Sequence, residues 1–460
     1  MSSSIRIIDP VYFNANKSAE FRLNEETTAY LTSGMYLCLG SYGTNAEVNV
    51  VKYNRRAGVA SVVRAIRLLN GGDVIAQLEQ AGPWMAWKGT NHDNADARSK
   101  KQASFAEGSL IHDSIMAYNQ QQVISNNGDA VPVGSLGETE EQSCLGYVAI
   151  KEFLKELEVL RALPTTVFDN LRLVVDFTSD ILTICGKLDN TSSDLVSSLK
   201  ASRPLLVCDV VKDPELIQMM TRDMSQVSFT GIESDQFVLP AVTVAGGRKT
   251  HVQTLRGFNN KVINRVLLVN SPTEAQLGVQ QNHGNGDGSF INNALSSGRL
   301  NSLCQNRYTV NCRVNGASIF AGRGLGYDET FGATTGAGYN HRLAILTDTW
   351  GDVSVCQGGN TCGLVAQGLT AFGDAGEITA NGEILAKNPG HIFFGQDYTG
   401  FKVMSRVSHL EMTVARSPIA VAPKPRMNAG ATNQAINQIV YAEVPKVLMI
   451  DGGSYRIAYL

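Results

Sequence analysis

Ser61-Val62-Val63-Arg64-Ala65-Ile66-Arg67-Leu68-Leu69-Asn70-Gly71-Gly72-Asp73-Val74-Ile75 reads as a strand, a reversal and a strand. Asn-Gly between two alternating apolar runs is the strongest short-range hairpin signal, because both residues tolerate the positive φ that tight turns require. The chain repeats the pattern at Tyr308-Thr309-Val310-Asn311-Cys312-Arg313-Val314-Asn315-Gly316-Ala317-Ser318-Ile319-Phe320. The two Asn-Gly pairs, at 70 and 315, lie 245 residues apart in a chain of 460. Asn170–Phe177 is echoed by Gly400–Val407, 230 residues on, and Leu206–Val211 by Ile439–Val444, 233 on. Any one likeness arises by chance in a β-rich chain. Three in one order at similar offset argue for two copies of one β-domain in tandem.

The bulk properties suit that reading. A chain of 460 residues exceeds one ordinary core and implies two or three domains. Glycine is abundant, at 44 residues, while only 18% of residues are charged, which favours many turns over long surface helices. A net charge of −3 supplies no basic field for nucleic acid or an acidic membrane. The opening Met1–Pro10 has no basic n-region followed by an apolar run, and no apolar stretch reaches bilayer length, so folding in cytosol or nucleus is expected. The eight cysteines form no Cys-x-x-Cys knuckle, and several sit in strand-like runs, where a thiol packs as a small hydrophobe. Cys356 and Cys362 are the one pair worth testing as a disulfide.

Most of the remaining segments read as strands and loops. Ile150–Ala162 breaks the pattern: Phe153, Leu154, Leu157, Val159 and Leu160 recur near 3.6 among Lys and Glu, predicting the clearest helix, stopped by Leu163-Pro164. A second helix is expected within Phe105–Gln122. Residues 212–240, punctuated by Asp213-Pro214 and Leu239-Pro240, read as an inter-domain connection. Lys88–Gln102, Asn126–Glu141, Gln281–Ser289 and Gly322–Tyr339 read as polar or glycine-rich loops.

Catalytic chemistry finds little support. The seven histidines show no His-Glu-x-x-His and no His-x-His, so no metal site is expected. Gly322-Arg323-Gly324-Leu325-Gly326 follows a hairpin instead of opening a helix, and so lacks the dipole that a phosphate loop exploits. Gly284–Gly288 offers one carboxylate, Asp287, too few for calcium. No Gly-x-Ser-x-Gly elbow is present. No catalytic residue, cofactor or metal ligand is assigned.

Several of these segments carry a resemblance. Leu163-Pro164 before Asn170–Phe177, the basic strand and hairpin Arg313–Phe320, Leu346-Thr347-Asp348-Thr349-Trp350-Gly351 and the closing Val440-Tyr441-Ala442-Glu443-Val444-Pro445-Lys446-Val447-Leu448-Met449-Ile450-Asp451-Gly452 are similar to double jelly-roll major capsid proteins. That lineage includes adenovirus hexon, virophages, Polinton-like viruses and large nucleocytoplasmic DNA viruses. The resemblance implies an all-β chain of two tandem eight-stranded jelly rolls with a few short helices in loops. It divides as an N-terminal arm at 1–20, a first roll at 21–235 and a second at 236–460. It also implies a non-enzymatic shell protein of the virion, assembled in host cytoplasm or nucleus. Three copies would form a pseudo-hexagonal homotrimer that tiles beside neighbouring capsomers, penton and minor capsid proteins, without sequence-specific nucleic-acid binding. Trp84, Trp87, Trp350, Phe393 and Phe394 are the expected subunit-interface residues. The competing readings are a vertex (penton) protein with one roll and an insertion, and a non-viral β-sandwich binding module.

Overall fold

A computed structural model describes residues 3–43, 51–52, 59–91, 144–178, 186–187, 199–243, 245–272, 308–320, 324–326, 345, 348–350, 398–418, 435–451 and 453–460. Apolar side chains alternate inward along its strands: Ala19, Phe21 and Leu23 are buried, as are Leu171, Leu173, Val175 and Phe177. That period of two is what a sheet with one buried face demands.

In the first half the strands are β1 (Ser3–Ile8), β2 (Tyr12–Asn14), β3 (Ser18–Leu23), β4 (Ala29–Gly43), β5 (Val51–Lys52), β6 (Val63–Asn70) and β7 (Asp73–Glu79). They continue as β8 (Cys144–Ala149), β9 (Ala162–Pro164), β10 (Leu171–Phe177), β11 (Gly186–Lys187), β12 (Leu199–Ala201) and β13 (Leu205–Val211). The second half holds β14 (Gln226–Leu239), β15 (Lys249–Thr254), β16 (Lys261–Pro272), β17 (Tyr308–Val314) and β18 (Ala317–Ser318). After these come β19 (Leu325–Gly326), β20 (Tyr398–Val407), β21 (Leu410–Arg416), β22 (Ile436–Asp451) and β23 (Ser454–Tyr459). Helices α1 (Ala81–Asn91), α2 (Ile150–Phe153) and α3 (Pro214–Asp223) lie between strands.

Pairing gives the two halves one topology. In the first, β1-β13-β4-β8 form one sheet and β3-β10-β6-β7 the other. In the second, β14-β22-β16-β20 face β15-β21-β17-β18. If the eight principal strands of each half are counted along the chain, both pair first-eighth-third-sixth and second-seventh-fourth-fifth. That order is the jelly roll, two antiparallel sheets closed over one core. Cys208 and Cys312 lie in these cores, where burial first and then Asp209 or Glu411 push each thiol up to about 12. Both are inert packing groups.

The repeat is real, but its internal alignment differs from the sequence reading. The two hairpins are equivalent, β6-β7 with β17-β18. Their turns are not. Asn315 and Gly316 occupy the second turn with φ of 52° and 86°, as type I′ requires. In the first hairpin Asn70 pairs with Asp73, so Gly71-Gly72 make the turn and only Gly71 has positive φ. Asn70 is instead buried, and its Oδ1 accepts from Asn170 N at 2.8 Å. The partner of β10 in the second roll is β21, and not Gly400–Val407, which belongs to β20. Adjacent antiparallel strands share one alternation, so pattern matching slid by a strand. Leu206–Val211 and Ile439–Val444 do occupy equivalent strands, one residue out of phase. Leu206 faces its own roll's core, whereas Ile439 points away from the second roll's core, into which Val440 packs. A one-residue slip exchanges the faces.

Three further expectations are corrected. Residues 1–20 are not an arm: Ser3–Ile8 is an edge strand registered on β13, and β2 and the start of β3 follow. The 235/236 division falls inside β14, because Asp213 caps α3 and the second roll begins at Gln226. Asp213 Oδ1 accepts from Glu215 N and Leu216 N, and Pro214 opens the helix. Ile150–Ala162 is no single helix. It breaks at Leu154 (φ −103°, ψ 96°) into α2 and a 3₁₀ turn at Lys155–Glu158, and ends in β9. The break lets Phe153, Leu154, Leu157 and Leu160 all pack inward, more than one helical face would allow. The expected helix in Phe105–Gln122, and the loops at Asn126–Glu141 and Gln281–Ser289, lie outside the described residues.

The turns make a direct test. Gly316→Val, at a φ closed to β-branched residues, is expected to lower stability by about 1–3 kcal/mol. Gly72→Ala, with ordinary φ and open space, should stay within about 0.5 kcal/mol of wild type in chemical denaturation. Equal losses would contradict the turn assignment.

Candidate functional site

Every outward-facing residue of a sheet must meet solvent or a partner. In the second roll the outer face of β14-β22-β16 carries Ile232, Leu267, Val269, Ile439 and Tyr441, and all five are buried against the first roll. What covers them comes from the end of β7, from α1, and from the 3₁₀ turn at Lys155–Glu158. The junction is asymmetric: one roll gives a strand end and connecting helix, the other a sheet face.

Aromatic packing fills its centre. Trp84 of α1 meets Trp350 edge-on at 5.9 Å and Tyr441 at 5.3 Å between ring centroids. Trp350 Nε1 donates to Val266 O at 2.8 Å, and the Arg265 guanidinium lies 4.2 Å from the Trp350 ring. Gln80, at a φ of 55°, turns the chain from β7 into α1. Its carbonyl accepts from Tyr441 Oη at 2.5 Å, and its Nε2 donates to Gln236 Oε1 at 3.0 Å. Ser234 Oγ donates to Glu79 O. The closing hairpin adds Tyr455, its ring tilted against Phe168 at 4.9 Å between centroids and its hydroxyl on Asp73 Oδ2.

Flanking the aromatics is a chain of charges. Lys446 Nζ lies 3.2 Å from Glu156 Oε1 and 3.5 Å from Glu233 Oε1, and Glu233 also pairs with Lys261. The Lys446 and Glu156 side chains are 2% and 1% exposed. Tyr459 stacks beneath both ammonium groups, at 5.2 and 4.9 Å. Gly231 makes room: a Cβ there would overlap Glu156 Oε1 and stand 2.8 Å from Lys446 Nζ. A second knot joins Lys155 Nζ to Glu443 Oε2 at 2.5 Å, with Arg265 on the same oxygen at 2.6 Å. Glu156 and Lys155 belong to the first roll, and their partners to the second.

Burial and charge oppose each other in these knots. Burial favours the neutral amine of Lys446, but Glu156, Tyr459 and Glu233 outweigh it and hold the ammonium above its ordinary value. Glu156 is pushed up by complete burial, more than Lys446 pulls it down, and its Oε2 has no hydrogen-bond partner among the described residues. Glu443 is held below the usual carboxylate range, since Lys155 and Arg265 together overcome its burial.

The expected interface residues fall in unexpected places. Trp84 and Trp350 do come together, but inside one chain, across its own junction. Trp87 is wholly buried, in the first roll's core. None of the three is open to another subunit. Phe393 and Phe394 lie outside the described residues, as do Cys356 and Cys362. The charged knots went unread because Lys155 and Glu156 looked like the solvated face of a helix. One signal was present: Glu443 and Lys446 interrupt an otherwise apolar strand, where a charge costs energy unless paired. Among the described residues no group of His, Cys, Asp and Glu has metal-site geometry, and no helix is long and apolar enough to cross a membrane.

No family model and no curated protein matches the chain. Solved structures do. The crystal structure of PBCV-1 VP54, fitted into a cryo-EM reconstruction of the virophage Sputnik, is similar over 100% of this chain and 97% of its own, with a TM-score of 0.55 at 12% identity. The chain is a double jelly roll. The mavirus major capsid protein is also similar, at 11% identity and a TM-score of 0.47 over 99% of this chain and 90% of its own. A second complete roll leaves no place for the single-roll vertex reading.

Removing one member of a buried pair strands the other. Lys446→Met, leaving Glu156 and Glu233 without their shared cation, is expected to cost about 3–5 kcal/mol in denaturant unfolding. Glu156→Gln should cost clearly less, because its carboxyl already leans toward the neutral form. Equal costs would contradict the network. Glu443 gives a pH signature: its lowered value means stabilisation complete above the ordinary 4.5 and lost as pH falls through the folded value. Wild type should therefore exceed Glu443→Gln in stability near neutrality, by a margin that shrinks below pH 4.5. A margin constant with pH would refute the assignment.

Proposed function

We propose that this double jelly roll is a structural major capsid protein whose activity is assembly. The observation that carries the reading is one topology used twice in a single chain and locked at a fixed junction. A subunit of that kind has two similar footprints set side by side, and three such subunits outline a hexagon while keeping three-fold symmetry. Hexagonal tiles cover a near-planar lattice. The binding energy for such a shell is distributed over large interfaces with apolar centres, so no reactive constellation is needed. The likeness in fold to PBCV-1 VP54 agrees with this role.

On this reading the chain functions in the virion, after assembly in host cytoplasm or nucleus. Its partners are two further copies of itself, then neighbouring capsomers, penton and minor capsid proteins. The net charge of −3 fits a shell that encloses nucleic acid without reading its sequence.

Native mass spectrometry of the purified chain tests the proposal. The expected species is a trimer, at three times the 49.5 kDa chain mass. A monomer at every concentration, or a pentamer, would overturn it.

A further inference from the structure

Two strands of the second roll outrun their counterparts in the first. β14 and β22 have 14 and 16 residues, where β1 and β13 have 6 and 7. The surplus projects past the second roll. Phe237, Val440 and Val444 pack in that roll's core, whereas Phe229 and Leu448, further along the same strands, pack in the core of the first. β23 then folds back on the projecting part, Ser454–Tyr459 opposite residues 446–451, and makes it a three-stranded ribbon. The first roll has no equivalent of β23, since α3 follows β13 there.

β23 touches both rolls and belongs to the core of neither. Its Tyr455 and Ile457 rest on the first roll's core, and Tyr455 Oη donates to Asp73 Oδ2 at 3.3 Å. Just beyond, Leu460 N donates to Pro445 O at 3.3 Å and Val262 N donates to Leu460 O at 3.0 Å, both on the second roll. The ring of Tyr459 closes one side of the space that holds the Lys446 and Lys261 ammonium groups. Yet none of the strand's six residues is buried, whereas every second residue of β10 is. An edge strand so little buried can leave at far lower cost than either roll unfolds. Its departure would admit water to Lys446, whose pairing with Glu156 ties one roll to the other.

We infer that β23 is a strap that holds the two rolls at their fixed angle. Closed, it seals the Lys446 network. Open, it lets the apolar faces of the junction slide while each roll stays folded. The strap thereby gates assembly, because two footprints in one chain fit a lattice only when their relative angle is set. That last step rests on the assembly role proposed above and adds its regulation.

The test uses the full chain. Tyr455→Ser together with Ile457→Ser removes the strap's hold on the first roll. Hydrogen exchange read by mass spectrometry should show residues 446–450 and Lys155–Glu158 losing protection at least about tenfold against wild type. Cys208 and Cys312, each buried in the core of one roll, should keep wild-type resistance to alkylation. Unchanged exchange would make β23 a passive edge, and alkylation of either thiol would make it part of a roll; both results overturn the strap. Native mass spectrometry should show the variant without the wild-type oligomer, and an oligomer that persists would overturn the gating. A second measurement needs no variant. As urea rises, the same amides of wild type should open before Cys208 and Cys312 react, and simultaneous opening would refute the inference. A wild-type chain that never associates would overturn the assembly role and the gating with it, but not the strap, whose opening is read within one chain.

Discussion

One ammonium group, that of Lys446, sets the relation between the two halves of this molecule. It projects from the last long strand of the second roll into a space closed by Glu156 of the first, Glu233 of the second and the ring of Tyr459. A charge so deeply buried is tolerated only with its partners in place, and those partners come from both rolls. The network therefore contributes less to net stability than to geometry. Two apolar faces can slide over one another with little penalty, whereas displacing this contact parts Lys446 from Glu156 and Glu443 from Lys155. Trp84, Trp350 and Tyr441 supply the apolar area, and the charges fix where it sits.

The asymmetry of that junction matters more than its strength. Had the rolls met through like surfaces, the pair would be self-satisfied, with nothing further to bind. Because one offers a strand end with a helix and the other a sheet face, the outer face of the first roll's own β1-β13-β4 sheet takes no part in the junction, and its Ile5 and Ile7 are exposed.

How much of this was legible in the sequence differs by level. The strands, the repeated hairpin and the two-roll architecture follow from alternation and from Asn315-Gly316, which are local properties of the backbone. The register between repeats was not legible, because alternation with period two repeats in every neighbouring strand. Hence β10 resembles β20 as much as its true counterpart β21, and Leu206 resembles Ile439 across a change of face. The break at Leu154 was hidden for a related reason. A segment with apolar residues at helical spacing satisfies a helix, yet tertiary burial on more than one side favoured a kinked path ending in a strand. Trp84 and Trp350 are expected at a subunit interface, whereas the junction they fill is intramolecular. Nothing local distinguishes a tryptophan meant for a sister domain from one meant for a sister subunit. The edge strand Ser3–Ile8 shows the converse: its Ile5 and Ile7 point outward, a feature that only the pairing with β13 reveals.

An experimental structure of the assembled oligomer, at a resolution that traces strands, tests the central claim most directly. The account predicts that in every chain Lys446 lies between Glu156 and Glu233, and Trp84 meets Trp350 and Tyr441, at one fixed junction between the two rolls. Rolls set at differing angles from chain to chain, with Lys446 turned to solvent, would contradict it.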